Sequence, residues 1–351
     1  MRVIVMAEQL RRPVPGGIGT YVRGLLDGLQ SLAAGGSTPV VEVTTWASRP
    51  TSPGVDPLRT YGPVRTTSLP RNLARWAWDR GLSAAPGDHD WCHATSLATP
   101  GVRRAGPPLS TFVHDLLFRT QPSSTTQRGR DWHERALSRA IARSSALIVP
   151  SEATAHALVG AGVAASRIDI VEEGADHLPV LPRTGGSHLL SVSTIEPRKN
   201  LARLVEAYAR IRPCLPEPWP LKIVGPEGWG DVDLPSAEGV ELLGHVDDLE
   251  LAGLLAGARC LAYVPLAEGW GLPVAEAMRA GCPVVSTDVP SAMGATELVR
   301  ADDVDDIARG LLAAAVDDAL RNDLVRRGLD VIAPLTWERC AEGHRIVWET
   351  R

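Results

Sequence analysis

Residues 260–288, CLAYVPLAEGWGLPVAEAMRAGCPVVSTD, constrain the fold more than any other stretch of the chain. A short apolar run at 261–264 has strand character, and the Gly-rich loop Glu268-Gly269-Trp270-Gly271 follows it. Pro273 then sits where a first helical turn begins, because its fixed φ suits a helix start and its missing N–H is not needed there. The helix predicted through Val274 and Met278 stops at Gly281 and gives way to a strand at 283–286. This is a βαβ unit, so its loop lies at the carboxyl end of a parallel strand, where open α/β sheets bind ligands. The N–H groups and dipole of such a helix start favour an anion such as a nucleotide diphosphate. Two carboxylates flank the place: Glu268 in the loop, and Glu276, read as first-turn. A carboxylate accepts two hydroxyls of a ribose or a sugar ring. The alternative is that Glu276 only complements the helix dipole and Glu268 is a solvated loop residue.

The same strand, glycine loop, helix order recurs. Residues 2–7 are strand-like, Pro15-Gly16-Gly17-Ile18-Gly19 follows, and Tyr21, Val22, Leu25, Leu26 and Leu29 recur at helical spacing. Further strands are expected at 40–46, 90–94, 110–114, 146–149, 168–172, 188–193, 221–225 and 240–243, with helices between several of them. Such alternation implies mostly parallel, doubly wound sheets, and 351 residues exceed one core, so two α/β domains are expected. The linker is placed at 178–187, which holds two prolines and two glycines; this gives domains at 1–180 and 186–330 and a terminal helix at 331–351. Residues 48–70, rich in Pro, Thr, Ser and Gly, read as a long loop. Ser151 reads as a helix N-cap with Thr154 three residues on.

The run E-G-W-G-L-P-V-A-E-A-M-x-A-G-C-P-V-V resembles the E-x7-E motif of the retaining glycosyltransferases of family four, whose fold is GT-B: two Rossmann-like domains facing a cleft. The resemblance implies that Glu276 holds the nucleotide ribose, that Glu268 contacts the donor sugar, and that Gly269, Gly271 and Leu272 help bind the donor. It extends to Gly16 and Gly17, implied to reach the donor phosphates, and to His114 of the His114-Asp115 pair, implied to stand beside the reacting carbon; Asp115 carries less. In Glu196-Pro197-Arg198-Lys199-Asn200 it implies that Arg198 and Lys199 neutralise the leaving diphosphate. From spacing alone these residues could equally be a sheet-end histidine and an exposed cation pair. The loop after Gly244 is implied to lie near the nucleotide base, and the terminal helix to cross back to the first domain. The segment 289–297 departs from the family pattern and leaves one edge of the donor site unexplained. The activity implied is transfer of a hexose, with mannose favoured, from GDP-mannose or a UDP-sugar to a glycan or lipid-linked acceptor, without a cofactor. A nucleotide-sugar epimerase of this fold and a non-catalytic sugar-nucleotide-binding protein are the rivals.

Composition adds limits. The five cysteines lack ligand spacing, so neither disulfides nor a structural metal is expected, and Asp231-Val232-Asp233 reads as a solvated loop rather than a metal motif. No run is long and apolar enough to span a membrane, and the N-terminus has no signal-peptide layout, so a cytoplasmic protein is expected. Residues 1–180 hold 19 Arg against 15 acidic residues, while the rest holds 17 basic against 26 acidic, which disposes the first half toward anionic partners, with nucleic acid not implied. Arg135, Arg139 and Arg143 recur every fourth residue, and residues 71–80 mix arginines with two tryptophans; these read either as an ordinary solvated helix exterior or as a face for peripheral contact with an anionic membrane.

Overall fold

The computed structural model describes residues 1–36, 40–50, 55–122, 125–230 and 232–351. The chain divides into two compact units, Met1–Gly174 with Thr336–Arg351, and Ala175–Leu335. The division falls ahead of the 178–187 stretch, which lies inside the second unit.

The first unit is built on β1 (Arg2–Met6), β2 (Glu42–Arg49), β3 (Val64–Pro70), β4 (Trp91–Ala94), β5 (Leu109–Phe112), β6 (Ala146–Val149) and β7 (Ile168–Ile170). They pair in the order β3-β2-β1-β4-β5-β6-β7, parallel throughout. Strands β1, β4, β5 and β6 are buried along nearly their whole length, as expected of a parallel sheet covered on both faces. Its helices are α1 (Gly16–Ala34), α2 (Arg71–Asp79), α3 (Leu117–Thr120), α4 (Gln127–Arg143) and α5 (Glu152–Gly160). The loop expected at 48–70 is largely regular: β2 runs to Arg49, a 3-10 turn spans Pro57–Tyr61, and β3 follows, while residues 51–54 lie outside the described residues. Among the described residues β3 pairs only with β2, and its polar VRTTSLP sequence suits an edge, where one side never meets the core. Ser151 caps α5, its Oγ accepting from Thr154 N at 3.2 Å.

The second unit repeats the plan with β8 (His188–Val192), β9 (Leu221–Val224), β10 (Val240–Gly244), β11 (Ala258–Tyr263), β12 (Val284–Ser286) and β13 (Glu297–Leu298), ordered β10-β9-β8-β11-β12-β13 and parallel throughout. Its helices are α6 (Leu201–Ile211), α7 (Asp248–Gly257), α8 (Leu272–Arg279), α9 (Val304–Val316) and α10 (Asp318–Ile332). One apolar cluster joins α6 and α9 to the central strands, with Leu204, Tyr208, Ile223 and Leu311 buried in it. In both sheets the winding reverses between the first and fourth strand in sequence, which opens a crevice at β1/β4 and at β8/β11.

The last helix, α11 (Trp337–Thr350), belongs to the first unit and lies along α1. Gly24 and Gly28 permit the approach, since a Cβ at either would overlap Trp337. Beneath them runs a buried hydrogen-bond chain whose direction its carbonyl terminus decides. His344 Nδ1 donates to Cys340 O at 2.8 Å, so Nε2 must accept from Tyr21 Oη, also at 2.8 Å. His93 Nε2 then donates to Tyr21 Oη at 2.8 Å, and His93 Nδ1 accepts from Ser110 Oγ, to which Trp348 Nε1 donates at 2.9 Å. Both histidines are neutral in this chain. Burial pushes His344 down to about 4, and burial with the neighbouring His344 and His114 pushes His93 well below its usual value.

A buried neutral histidine stabilises the fold fully above its unfolded value near 6.5 and loses that contribution as pH falls toward the folded value. For His344, falling from 6.5 to about 4, the full effect is on the order of 3 kcal/mol. We therefore expect the thermal midpoint to drop between pH 6.5 and 4.5, and His344→Gln to flatten that dependence; equal slopes in both proteins would exclude the chain as its source.

Candidate active site

In the second unit the crevice loops are those leaving β8 and β11, and they carry the charged residues of the E-x7-E and R-K-N stretches. After β8 a 3-10 turn, Pro197–Lys199, presents Arg198 and Lys199. Asn200 closes it with a left-handed φ of 59°, a conformation asparagine tolerates better than most side chains. Its buried amide donates to Val264 O at 3.0 Å and Ala301 O at 2.7 Å, fixing the turn to the end of β11. Leu266 N donates to Arg198 O at 2.9 Å, a backbone tie between the two loops.

Glu268 is the centre of the site. Its Oε1 accepts from Arg198 Nη1 at 2.6 Å, Lys199 Nζ at 2.5 Å and Tyr263 Oη at 2.9 Å. Arg198 Nη2 donates to Glu196 Oε1 at 2.7 Å, and Lys199 Nζ also donates to Tyr263 Oη at 2.9 Å. Burial alone would raise the Glu268 carboxyl, but Lys199 and Arg198 outweigh it and bring it to about 2. Burial and the Glu268 charge together hold the Tyr263 phenol well above its usual value, so it stays a donor. The reading of Glu268 as a solvated loop residue is excluded: its side chain is 10% exposed.

Glu276 stands in α8, which begins at Leu272, so it is the fifth helical residue and not in the first turn as its distance from Pro273 suggested. That removes dipole complementation as its explanation, because the effect is confined to the first turn. Its Oε1 lies 3.1 Å from His177 Nε2, with both side chains 8% exposed. Among the described residues the second oxygens, Oε2 of Glu268 and of Glu276, have no hydrogen-bond partner. Two oriented carboxylates with one open acceptor oxygen each suit hydroxyl recognition.

The loop between them is held by the segment that departs from the family pattern. Gly271 has φ 105°, and a Cβ there would meet Ser291 Oγ, which donates to Gly271 O at 2.8 Å. Ser291 N donates in turn to Trp270 O at 3.1 Å. Among the described residues no side chain caps α8 and its first N–H, at Leu272, has no acceptor, which leaves it for an external one, and Gly269 is buried beside it.

In the first unit, α1 begins at Gly16 and Gly17, both exposed and without a side-chain cap. His114 follows β5; its Nε2 donates to Thr95 O at 3.0 Å, and its Nδ1 is 3.6 Å from the buried Glu173 Oε1. Asp115 accepts from Leu117 N at 3.0 Å and so shapes the turn into α3. His114 and Asp115 line a cavity of about 570 Å³, together with Trp132 and His133 of α4. Two of the three stripe arginines of α4 are engaged: Arg139 pairs with Asp79 at 3.3 Å, and Arg143 donates to the carbonyls of Trp78, Thr99 and Pro100, which binds α4 to α2 and the loop after β4, while Arg135 is exposed. In 71–80, Trp78 is buried, while Leu73 and Trp76 are exposed, with Arg80 over the Trp76 ring. Asp231 lies outside the described residues, and Asp233 is exposed.

Sequence reasoning missed Tyr263, His177, Glu173 and Ser291. Only Tyr263 carried a signal, as the one polar-tipped residue closing the apolar run ahead of the Gly-rich loop.

Residues 15–177 match glycosyltransferase family 4, and residues 186–318 match glycosyl transferases group 1. The O-antigen chain mannosyltransferase B of Escherichia coli is 31% identical over 66% of this chain and 67% of its own. The phosphatidyl-myo-inositol mannosyltransferase of Mycobacterium leprae is 28% identical over 79% of this chain and 76% of its own. The structure of Anabaena HepE in complex with UDP and glucose superposes with a TM-score of 0.74 at 17% identity, covering 100% of both chains. A fold of two parallel-sheet Rossmann-like units with these matches defines the class, GT-B glycosyltransferases. The chain belongs to the group 1, family 4 glycosyltransferases.

Removing one member of a buried charge pair costs roughly 3 kcal/mol, because its partners are left uncompensated. Glu268→Gln, which strips the counter-charge from Arg198 and Lys199, is therefore expected to lower the thermal midpoint by several degrees, whereas Glu241→Gln on exposed β10 leaves it unchanged. Equal midpoints for the two variants would contradict the assigned role of Glu268.

Proposed function

We propose that the chain is a retaining hexosyltransferase, with mannose the favoured sugar, that moves a glycosyl group from a nucleoside diphosphate sugar held by the second unit to a hydroxyl of a glycan or lipid-linked acceptor. The observation that carries this reading is the Arg198–Lys199–Glu268 cluster beside the uncapped start of α8. Mannose is favoured because the E. coli and M. leprae relatives are named as mannosyltransferases.

The chemistry follows from charge. As the bond between the sugar C1 and the diphosphate oxygen breaks, negative charge grows on that oxygen, and fixed donors aimed at it lower the barrier. Arg198, Lys199 and the Leu272 amide supply them, with the Gly16 and Gly17 amides of the first unit in the role that the family resemblance implies. The acceptor oxygen bonds to C1 on the face the diphosphate leaves, and its proton passes to the departing phosphate oxygen. No side chain is needed as nucleophile and no metal as counter-charge in this scheme. The open oxygen of Glu276 takes the ribose hydroxyls and that of Glu268 the sugar hydroxyls, while His114 forms the wall on the acceptor side.

The test is a donor panel read by nucleotide release, with GDP-mannose and UDP-hexoses, in the presence of EDTA. The expected result is transfer from GDP-mannose that survives the chelator, and a fall in kcat/KM of at least ~10²-fold in Lys199→Ala and in Glu276→Ala. Near-normal kcat/KM in both variants would remove the assigned site, and a requirement for added metal would remove the metal-free scheme.

A further inference from the structure

The first unit contains a second cavity, of about 460 Å³, at the crevice where the loops after β1 and β4 diverge. Three arginines line it: Arg12 from the turn after β1, and Arg71 and Arg75 from the start of α2. Among the described residues none of the three has a carboxylate partner, although 36 basic residues share the chain with 41 acidic ones. The contrast with the adjacent Arg11 is direct, since Arg11 is held by Asp56 and Ser48 O. The carboxylate in the wall, Glu8, is already engaged by Ser48 N at 2.7 Å and Ser48 Oγ at 2.9 Å. Arg12 is exposed, yet partial desolvation in the wall lowers its guanidinium, and Arg75 and Arg71 lower it further, with Glu8 opposing.

The placement is also unfavourable for α2 taken alone. A helix start is the positive end of the macrodipole, where acidic residues stabilise and cations do not. α2 has no acidic residue in its first turn and no side-chain cap, and it carries Arg71 there instead, with Arg75 one turn further on. Helix N–H groups and three guanidiniums lining one concave space suit an anion with several acceptor oxygens, and a phosphoryl group, with the most oxygens and charge, fits them best. Trp78 in the same wall is 1% exposed, with its Nε1 donor unpartnered among the described residues. The cavity shares Gln9, Arg12, Ile18, Arg75, Ser96 and Ala98 with the one beside His114, so a molecule held by phosphate at the arginines reaches the His114 side without leaving the wall.

We infer that the acceptor carries a phosphate or diphosphate, bound in this cavity by Arg12, Arg71, Arg75 and the amino end of α2, with its reacting hydroxyl directed toward His114. The inference rests on the transferase reading, but its test requires binding and no turnover, so a chain that turned over no nucleotide sugar would still decide it.

Inorganic pyrophosphate is titrated calorimetrically into the full chain, into Lys199→Ala to remove the second unit's anion site, and into Arg71→Gln/Arg75→Gln, with Arg12→Gln as the second variant should the double one lose stability. The expected result is binding that persists in Lys199→Ala, weakens at least ~10-fold in the arginine variants, and falls with added salt as exposed charges are screened. Binding that vanishes with Lys199→Ala, or that the arginine variants leave intact, would overturn the inference. In the Lys199→Ala background, farnesyl diphosphate binding ~10-fold or more tighter than mannose 1-phosphate assigns the phosphate to a lipid-linked acceptor; mannose 1-phosphate binding as well or better assigns it to a free sugar phosphate, and either supports the site.

Discussion

One carboxylate oxygen, Glu268 Oε1, takes hydrogen bonds from a guanidinium, an ammonium and a phenol, and the arrangement of the second unit's crevice loops depends on that convergence. A buried carboxylate is costly unless its lone pairs are met, and met in this way it becomes a fixed point. It joins the loop after β8 to the loop after β11 across the place where the sheet reverses its winding. Arg198 and Lys199 are thereby oriented by the protein's own groups, the kind of preorganisation that electrostatic stabilisation of a leaving group would need. With Glu196 included, two cations face two anions, so the cluster is close to neutral and acts through the direction of its donors more than through net charge.

The first unit uses the same crevice differently. Arg12 after β1 and Arg71 and Arg75 of α2, which line the cavity there, are left without counter-charges among the described residues. Its buried Trp348–Ser110–His93–Tyr21–His344 chain ties the last helix to the strands beside that crevice. Two crevices of the same topology thus present opposite electrostatics: one compensated and rigid, the other uncompensated and open to an anion.

Much of this is legible in the sequence, where local pattern and local chemistry agree. β6 coincides with the apolar run at 146–149, and the two glycine loops mark α1 and α8 because a strand-to-helix turn needs small residues. β3 is hidden because an edge strand carries no apolar alternation, and β13, two residues long, is too short to show any. The Arg135, Arg139 and Arg143 spacing correctly gives one helical face but says nothing about what lies opposite, which is Asp79 for Arg139 and backbone carbonyls for Arg143. His177 and Ser291 reach the site from far along the chain, and no spacing rule connects them to Glu276 or Gly271. The departure from family pattern at 289–297 reads as a lost edge in the sequence; in the fold Ser291 makes that segment the support of the Gly-rich loop.

The central claim is that Arg198 and Lys199, held by Glu268, recognise the diphosphate of the donor. Titration calorimetry with GDP and GMP, on the wild-type chain and on Lys199→Met, tests it without any turnover. The account predicts that the wild type prefers the diphosphate by ~10²-fold and that Lys199→Met loses most of that preference while still binding the monophosphate, as expected for a charge-assisted bond to a phosphate that the monophosphate lacks. Equal preference in the two proteins would contradict it.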